Sequence, residues 1–259
     1  MTAARTPAEQ VSVRVLGGPT ALIEYGALTF LTDPTFDAPG EYPVPGGSLT
    51  KTAPSAARPA DLGPVDAVLL SHDEHPDNLD HSGRALLAEV PVTFTTPGGA
   101  GRLGGTAQGL APWESAELKR PDGATVTVTG VPALHGPEGV DGVEAVTGEV
   151  VGFVLTSTDL PTVYVSGDNA SLTLVERIAE RFGPVDTAVL FAGAPRVPGV
   201  FDGALLVLDS AQAAEAARIL GARRVVPVHC DSWSHFTEDR DAVVAAFTAA
   251  GLAEHLQLD

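Results

Sequence analysis

Cysteine occurs once in this chain of 259 residues, at Cys230. No disulfide can form within the chain, and a reducing, cytoplasmic setting is the natural expectation. Lysine occurs only at Lys51 and Lys119. Together with arginine there are 15 basic residues against 33 acidic ones, for a formal net charge of −18 and a pI near 4.6. Such a surface repels phosphate backbones and anionic headgroups, which argues against nucleic acid and membrane surfaces as partners. Long apolar runs are missing too, since none approaches the ~18 residues of a membrane span. Met1 to Gln10 is polar, carries no apolar signal-type region and reads as a disordered arm ahead of one domain over 11–259. The glycine-rich run Pro97–Gly105 lacks the Lys-Ser/Thr of a phosphate-binding loop and reads as a short helix closed by glycine. Coiled-coil heptads, solenoid repeats and low-complexity tracts are also missing.

What remains is ordinary globular sequence, 44% hydrophobic, enough for a sizeable core. Strands are expected at 11–16, 20–25 and 28–31, then at 65–70, 92–95, 116–118 and 125–131, and later at 148–156, 162–165, 185–191 and 224–228. Helices are expected from 82 to about 89, over 172–182, from 210 to 220 with Gly221 as terminator, and from about 238 to 250. Residues 34–64, rich in Pro, Gly and Ala, read as a long irregular connection of the kind that often forms lids. Phe36, Tyr42 and Pro43-Val44-Pro45 either line a substrate entrance there or pack on the surface.

Chemistry-bearing residues recur at strand ends. The first group is Ser71-His72-Asp73-Glu74-His75-Pro76-Asp77-Asn78-Leu79-Asp80, directly after an apolar strand. His135 follows the strand at 125–131, Asp168 the one at 162–165, and His229 the one at 224–228. Imidazoles and carboxylates are the donors that borderline metals prefer. In α/β sheets the loops at equivalent strand ends converge on one edge. Four such events in a chain with seven histidines point to a shared metal site. Asp33, just past a strand end, can approach that site or cap its own turn.

The stretch after the strand at 65–70 resembles the His-x-His-x-Asp-His signature of the metallo-β-lactamase superfamily. Gly17–Glu24 and Leu31-Thr32-Asp33-Pro34 resemble the opening strands of that fold. Ala133-Leu134-His135, Val165-Ser166-Gly167-Asp168 and Pro227-Val228-His229 resemble its later ligand-bearing segments. The likeness runs from about residue 11 to 250 and is nearest to the ascorbate-6-phosphate-lactonase-like branch. It implies an α/β (α+β) fold, a four-layer αββα sandwich. It also implies zinc (Zn2+, one or two ions), and Asn78 in the signature opens manganese (Mn2+) or a single tight ion as an alternative. His72, His75, His135 and Asp168 would surround the first ion, and Asp77, Asn78, Asp168 and His229 the second.

The match is imperfect in two places. Asn78 stands where the family has a histidine, and a carboxamide is a poor zinc ligand. His72 and His75 are separated by two residues instead of one. Either the loop bulges to bring both imidazoles to one ion, or one does not bind, with Asp73 as a substitute.

The resemblance implies a hydrolase in which a metal-bound hydroxide attacks a small ester, lactone or phosphoester. Asp77 would orient the nucleophile or accept its proton. His235 would contact substrate or protonate the leaving group, or else stand behind the ligands or on the surface. Asp231 is expected to hold His229, Cys230 to be a buried inert thiol, Trp113 to pack, His81 to open a helix and His255 to lie in a mobile carboxyl terminus. Arg102 and Arg196 are the cations that can reach an anionic substrate. Two other classes stay open: a non-hydrolytic relative using iron for redox or rearrangement chemistry, and a binding protein with a degenerate site. A homodimer is the default assembly.

Overall fold

The computed structural model describes residues 11–44 and 47–258. The amino-terminal arm expected over 1–10, and Pro45 of the loop, lie outside them. The chain opens with an antiparallel meander of β1 (Val11–Gly17), β2 (Thr20–Tyr25) and β3 (Leu28–Thr32). The turn between β2 and β3 is two residues, Gly26 and Ala27, with φ of 59° and 65°. That pair of positive φ values matches the right-handed twist of the flanking strands.

The stretch 34–64 is less irregular than its composition suggests. Within it β4 (Gly40–Val44) and β5 (Gly47–Lys51) pair as a separate antiparallel hairpin. Gly40, Pro43 and Gly47 interrupt the alternation by which a strand is read from sequence.

Next come β6 (Ala67–Leu69), α1 (His81–Leu86), β7 (Thr93–Thr95), α2 (Pro97–Leu103) and β8 (Ala107–Gly109). Strands β6, β7 and β8 add in parallel to β3, giving the sheet order β1-β2-β3-β6-β7-β8. The second half holds β9 (Ser115–Lys119), β10 (Thr125–Pro132), α3 (Val143–Thr147), β11 (Val151–Ser157) and β12 (Leu160–Val165). It continues with α4 (Leu172–Phe182), β13 (Thr187–Phe191), α5 (Ser210–Leu220), β14 (Arg224–Val228) and α6 (Arg240–Ala249). These strands form a sheet of order β14-β13-β12-β11-β10-β9.

The buried side chains divide into three layers. Val13, Ile23, Phe30, Leu69, Phe153, Val165, Phe191 and Val228 fill the space between the sheets. Val154, Tyr164 and Leu190, on the outer face of the second sheet, pack against Val175 and Ile178 of α4, Ala213, Ala217 and Leu220 of α5, and Val243 and Phe247 of α6. Leu22, Leu31, Val68 and Leu70 of the first sheet pack outward against Leu86, Leu87 and Val90 at α1 and the turn after it. The result is the four-layer αββα sandwich that the resemblance implies. Burying both faces explains why β13 and β14 read as continuous apolar runs and not as alternating ones.

The sheet directions decide where the polar loops go. β3 and β6 are parallel, as are β12, β13 and β14. β10 is antiparallel to β11, which is antiparallel to β12, so β10 points the same way as β12. Within each sheet, the carboxyl ends that precede the polar loops therefore share an edge. The two edges are tied where the Val151 N–H donates to the Ser71 carbonyl at 3.1 Å.

The carboxyl terminus is anchored. His255 Nδ1 donates to the Ala222 carbonyl at 2.8 Å, and the Gln257 N–H donates to Val225. Edge strand β14 has free backbone groups, and the tail takes up the Val225 carbonyl. Among the described residues no helix is long and apolar enough to cross a membrane.

Candidate metal centre

Three strand ends bring His72, His75, His135 and Asp168 together, with one donor atom from each all within 4.8 Å of one another. His72 Nε2 is 2.8 Å from His75 Nδ1, which is 3.3 Å from His135 Nε2. His135 Nε2 is 3.5 Å from Asp168 Oδ2. Four donors on one ion at zinc-like bond lengths stand roughly 3.3–3.5 Å apart, so little movement separates this arrangement from a coordination shell. The extra residue between His72 and His75 does not prevent convergence. His72 presents its far nitrogen and His75 its near one, and the difference in reach takes up the added length. Asp73 is not a substitute ligand, because its carboxylate is held by the Arg102 guanidinium and its carbonyl by Arg84.

Outer partners fix which nitrogen of each ring is free. The Ser71 hydroxyl donates to Asp33 Oδ1 at 2.7 Å, so at the 3.0 Å contact with His72 it must accept from Nδ1–H. His135 Nδ1–H donates to the Leu206 carbonyl at 2.9 Å. Both Nε2 atoms therefore carry lone pairs aimed into the cluster. His75 Nδ1 faces both of them and has at most one proton to offer, so one close contact lacks a proton. A cation would satisfy all three nitrogens at once. The electrostatics agree: burial first, then mutual repulsion among the rings, push the pKa of His72 and of His75 down. Asp33, which could have faced the site or capped a turn, is a buried brace for Ser71. Its Oδ1 also accepts the Ser71 backbone N–H at 2.9 Å.

The other sequence candidates gather beside this cluster. Asp77 Oδ2 lies 3.2 Å from His229 Nε2 and 3.0 Å from His235 Nε2. His229 Nδ1 is 3.7 Å from Asp168 Oδ1, so Asp168 lies between the two groups. Burial alone would raise the pKa of Asp77, but the hydrogen bonds from His229 and His235 hold it well below the ordinary carboxylate range. Burial likewise opposes charge on His229, and Asp168 and Asp77 overcome it, raising that pKa.

Asn78 departs from the ligand expectation. Its amide nitrogen is directed at Asp168 Oδ1, 3.3 Å away, and at the Ser71 hydroxyl, while its oxygen is buried without a partner. An amide N–H is a donor, so the end of Asn78 that faces Asp168 steadies the carboxylate and carries no lone pair for an ion. Asp231 does not hold His229 either. It accepts from the Gly18 N–H at 2.7 Å and from Ser232. His229 has a left-handed backbone, φ 56°, and this turn carries Asp231 away from its ring. Cys230 is buried among helix-side residues, and burial pushes its thiol up to about 12, which makes it inert.

Several supports had no sequence signal. The Thr52 N–H donates to Ser232 and the Ser234 N–H to Thr50, so the β4–β5 hairpin carries the loop that ends in His235. Tyr42 packs on His81 and Trp233, with ring centroids 5.8 and 5.2 Å apart. Lys51, 2% exposed, reaches Asp80 Oδ2 at 3.0 Å, and Asp80 Oδ1 caps α1 by accepting from the Gly83 N–H. Gly193 leaves room for the ligand loop, since a Cβ there would lie 2.0 Å from the His229 carbonyl oxygen. A lone lysine and a lone glycine look like any others until the fold places them.

Residues 29–230 match the model of the β-lactamase superfamily domain. A curated relative, a UPF0173 metal-dependent hydrolase from Methanosphaerula palustris, is 33% identical over 68% of this chain and 73% of its own. Among solved structures, an isothiocyanate hydrolase from Delia radicum gut bacteria superposes with a TM-score of 0.76, at 20% identity, over 94% of both chains. A diiron β-hydroxylase from Streptomyces venezuelae superposes with a TM-score of 0.67, at 16% identity, over 96% of this chain and 53% of its own. At those identities the two structural likenesses show the fold alone.

Proposed function

We propose that this chain, which belongs to the metallo-β-lactamase superfamily, is a metal-dependent hydrolase of small neutral esters or lactones, with zinc as its metal. The observation that carries the reading is the convergence of His72, His75, His135 and Asp168, with the free nitrogens of His72 and His135 fixed by outer hydrogen bonds. A bound divalent ion supplies Lewis acidity toward a carbonyl oxygen and makes water more acidic near neutral pH. The protein's own part is to keep the ring nitrogens aimed inward, and Ser71, Asp33 and the Leu206 carbonyl do this. Asp77 remains ionised under its two imidazole hydrogen bonds, which suits it to orient a water molecule better than to store a proton. Asp168 is oriented by the Asn78 amide.

A neutral substrate is favoured over a phosphoester because Arg102, one of the two cations considered for an anion, is paired with Asp73 and Glu74. The net charge of −18 acts in the same direction, repelling anions at a distance.

The test is elemental analysis of protein purified without chelator or affinity metal, beside His135→Ala and Asp168→Ala. Zinc is expected in the parent at one or two equivalents and lost from both variants, and the parent should cleave simple lactones or aryl esters faster than phosphodiesters. Iron in the parent would move the reading to redox chemistry. A parent that takes up neither Zn2+ nor Mn2+ would leave only the fold.

A further inference from the structure

The signature loop has Asn78 where the resemblance implies a histidine, and the amide gives its N–H groups to Asp168 and Ser71. On sequence alone the second metal position therefore looks short of a ligand. The structure brings another imidazole to the same carboxylate. His235 lies six positions after His229 on the loop following β14, and both rings place Nε2 within 3.2 Å of Asp77 Oδ2. The two rings flank Phe236, at centroid distances of 4.3 Å for His229 and 4.5 Å for His235. The loop is not free to drift, because the β4–β5 hairpin holds it at Ser232 and Ser234.

The hydrogen-bond account of this triad is incomplete without an ion. If both imidazoles donate through Nε2, their Nδ1 atoms are left over, and both are buried without a hydrogen-bond partner. Asp77 Oδ1 is buried without one as well. A cation between Asp77 Oδ2 and the two Nε2 atoms reverses this. The Nε2 lone pairs then face the ion and the protons move to Nδ1, where that of His229 points toward Asp168 Oδ1, 3.7 Å away.

We propose that His235 replaces the histidine missing at Asn78, so that Asp77, His229 and His235 form a second divalent-metal position beside the one to which Asp168 belongs. The substitution moves one ligand from the loop after β6 to the loop after β14 and keeps the donor chemistry. It rests on the reading of the first cluster as a metal site.

The experiment is zinc stoichiometry and affinity by titration calorimetry and elemental analysis, on the apo form of the intact parent and of three variants. These are His235→Ala, the rescue variant Asn78→His/His235→Ala, and His72→Ala. Each is checked first for unchanged circular dichroism. The parent is expected to take two equivalents. His235→Ala should take one tightly, with the other weakened beyond the roughly 10–100-fold that follows loss of an outer partner. Any return of the second equivalent in the rescue variant adds support. His235→Ala with two unaltered equivalents overturns the assignment. So does a parent with one equivalent that His235→Ala leaves intact and His72→Ala removes, an outcome that leaves the hydrolase reading standing. A parent that binds no zinc overturns both.

Discussion

The two halves of the site differ in how well they satisfy themselves. In the His72–His75–His135–Asp168 group, nitrogen faces nitrogen at 2.8 and 3.3 Å, and burial holds His72 and His75 neutral. In the Asp77–His229–His235 group, a carboxylate oxygen sits between two rings, and nearby carboxylates favour a proton on His229. The first group presents lone pairs that only a cation can gather. The second can pair its facing atoms through hydrogen bonds, which an ion must displace, and leaves both Nδ1 atoms and Asp77 Oδ1 without partners. The first position is therefore expected to fill first. The supports differ too. The first group is fixed by hydrogen bonds from its immediate neighbours in the fold, and the second by a hairpin and a close backbone approach.

The largest break in this comparison comes from Lys51. Its ion pair with Asp80 is buried on both sides, with side-chain exposures of 1% and 0%. Removing one partner of such a pair leaves an uncompensated charge and costs about 3–5 kcal/mol. Lys51→Ala should lower the unfolding free energy by that amount in a denaturant titration. The variant should also weaken the second zinc equivalent while the first stays, because β5 leads directly into the backbone bonds that hold Ser232 and Ser234. Equal weakening of both equivalents would show that the hairpin supports the whole site and not one half of it.

Gly193 gives a smaller and more local break. A Cβ there would meet the His229 carbonyl oxygen at 2.0 Å and the Phe236 ring at 2.9 Å. Gly193→Ala should cost about 1–3 kcal/mol as the ligand loop shifts. The shift pushes His229 and Phe236 away from Asp77, so the second equivalent should weaken again with the first retained. A variant as stable as the parent would mean that the loop has slack.

How far the sequence carried each half follows the same division. His72, His75, His135 and Asp168 each stand just past an apolar strand, and parallel strand direction brings such positions to one edge. The strand positions could be inferred, so the cluster could be too. The second half depends on conformations that leave no pattern. His229 turns left-handed, which sends Asp231 to Gly18 instead of to the ring. His235 comes back to Asp77 only because a hairpin, hidden in a Pro- and Gly-rich stretch, holds its loop. Asn78 looked like a weak ligand because residue type reports what an amide can do, not which of its two ends faces the carboxylate.

The smallest effect sharpens the comparison from the side of the first group. Three residues after His135, Glu138 accepts from the Ser171 and Thr173 hydroxyls and from the Thr173 N–H at the start of α4. It thus ties the His135 loop to the helix that follows Asp168. The Ser171 hydrogen bond leads in holding the Glu138 pKa below its ordinary value, although the side chain is largely exposed. A carboxylate with a depressed folded-state pKa adds stability above its unfolded value, near 4.5, and loses it as pH falls through the folded value. Solvent screening at an exposed position keeps the contribution to about 0.5 kcal/mol or less. Glu138→Gln should therefore be slightly less stable than the parent at pH 7, and the gap should close as pH falls from 4.5 through the folded value when melting midpoints are compared. Zinc stoichiometry should be unchanged, because Leu206 and Ser71, not this outer tie, aim the imidazoles. A gap that persists in acid would assign the effect to packing of the side chain and not to its charge. Loss of the first equivalent would show that the His135 loop needs its outer tie, and the contrast between a self-fixed first group and a braced second one would fail.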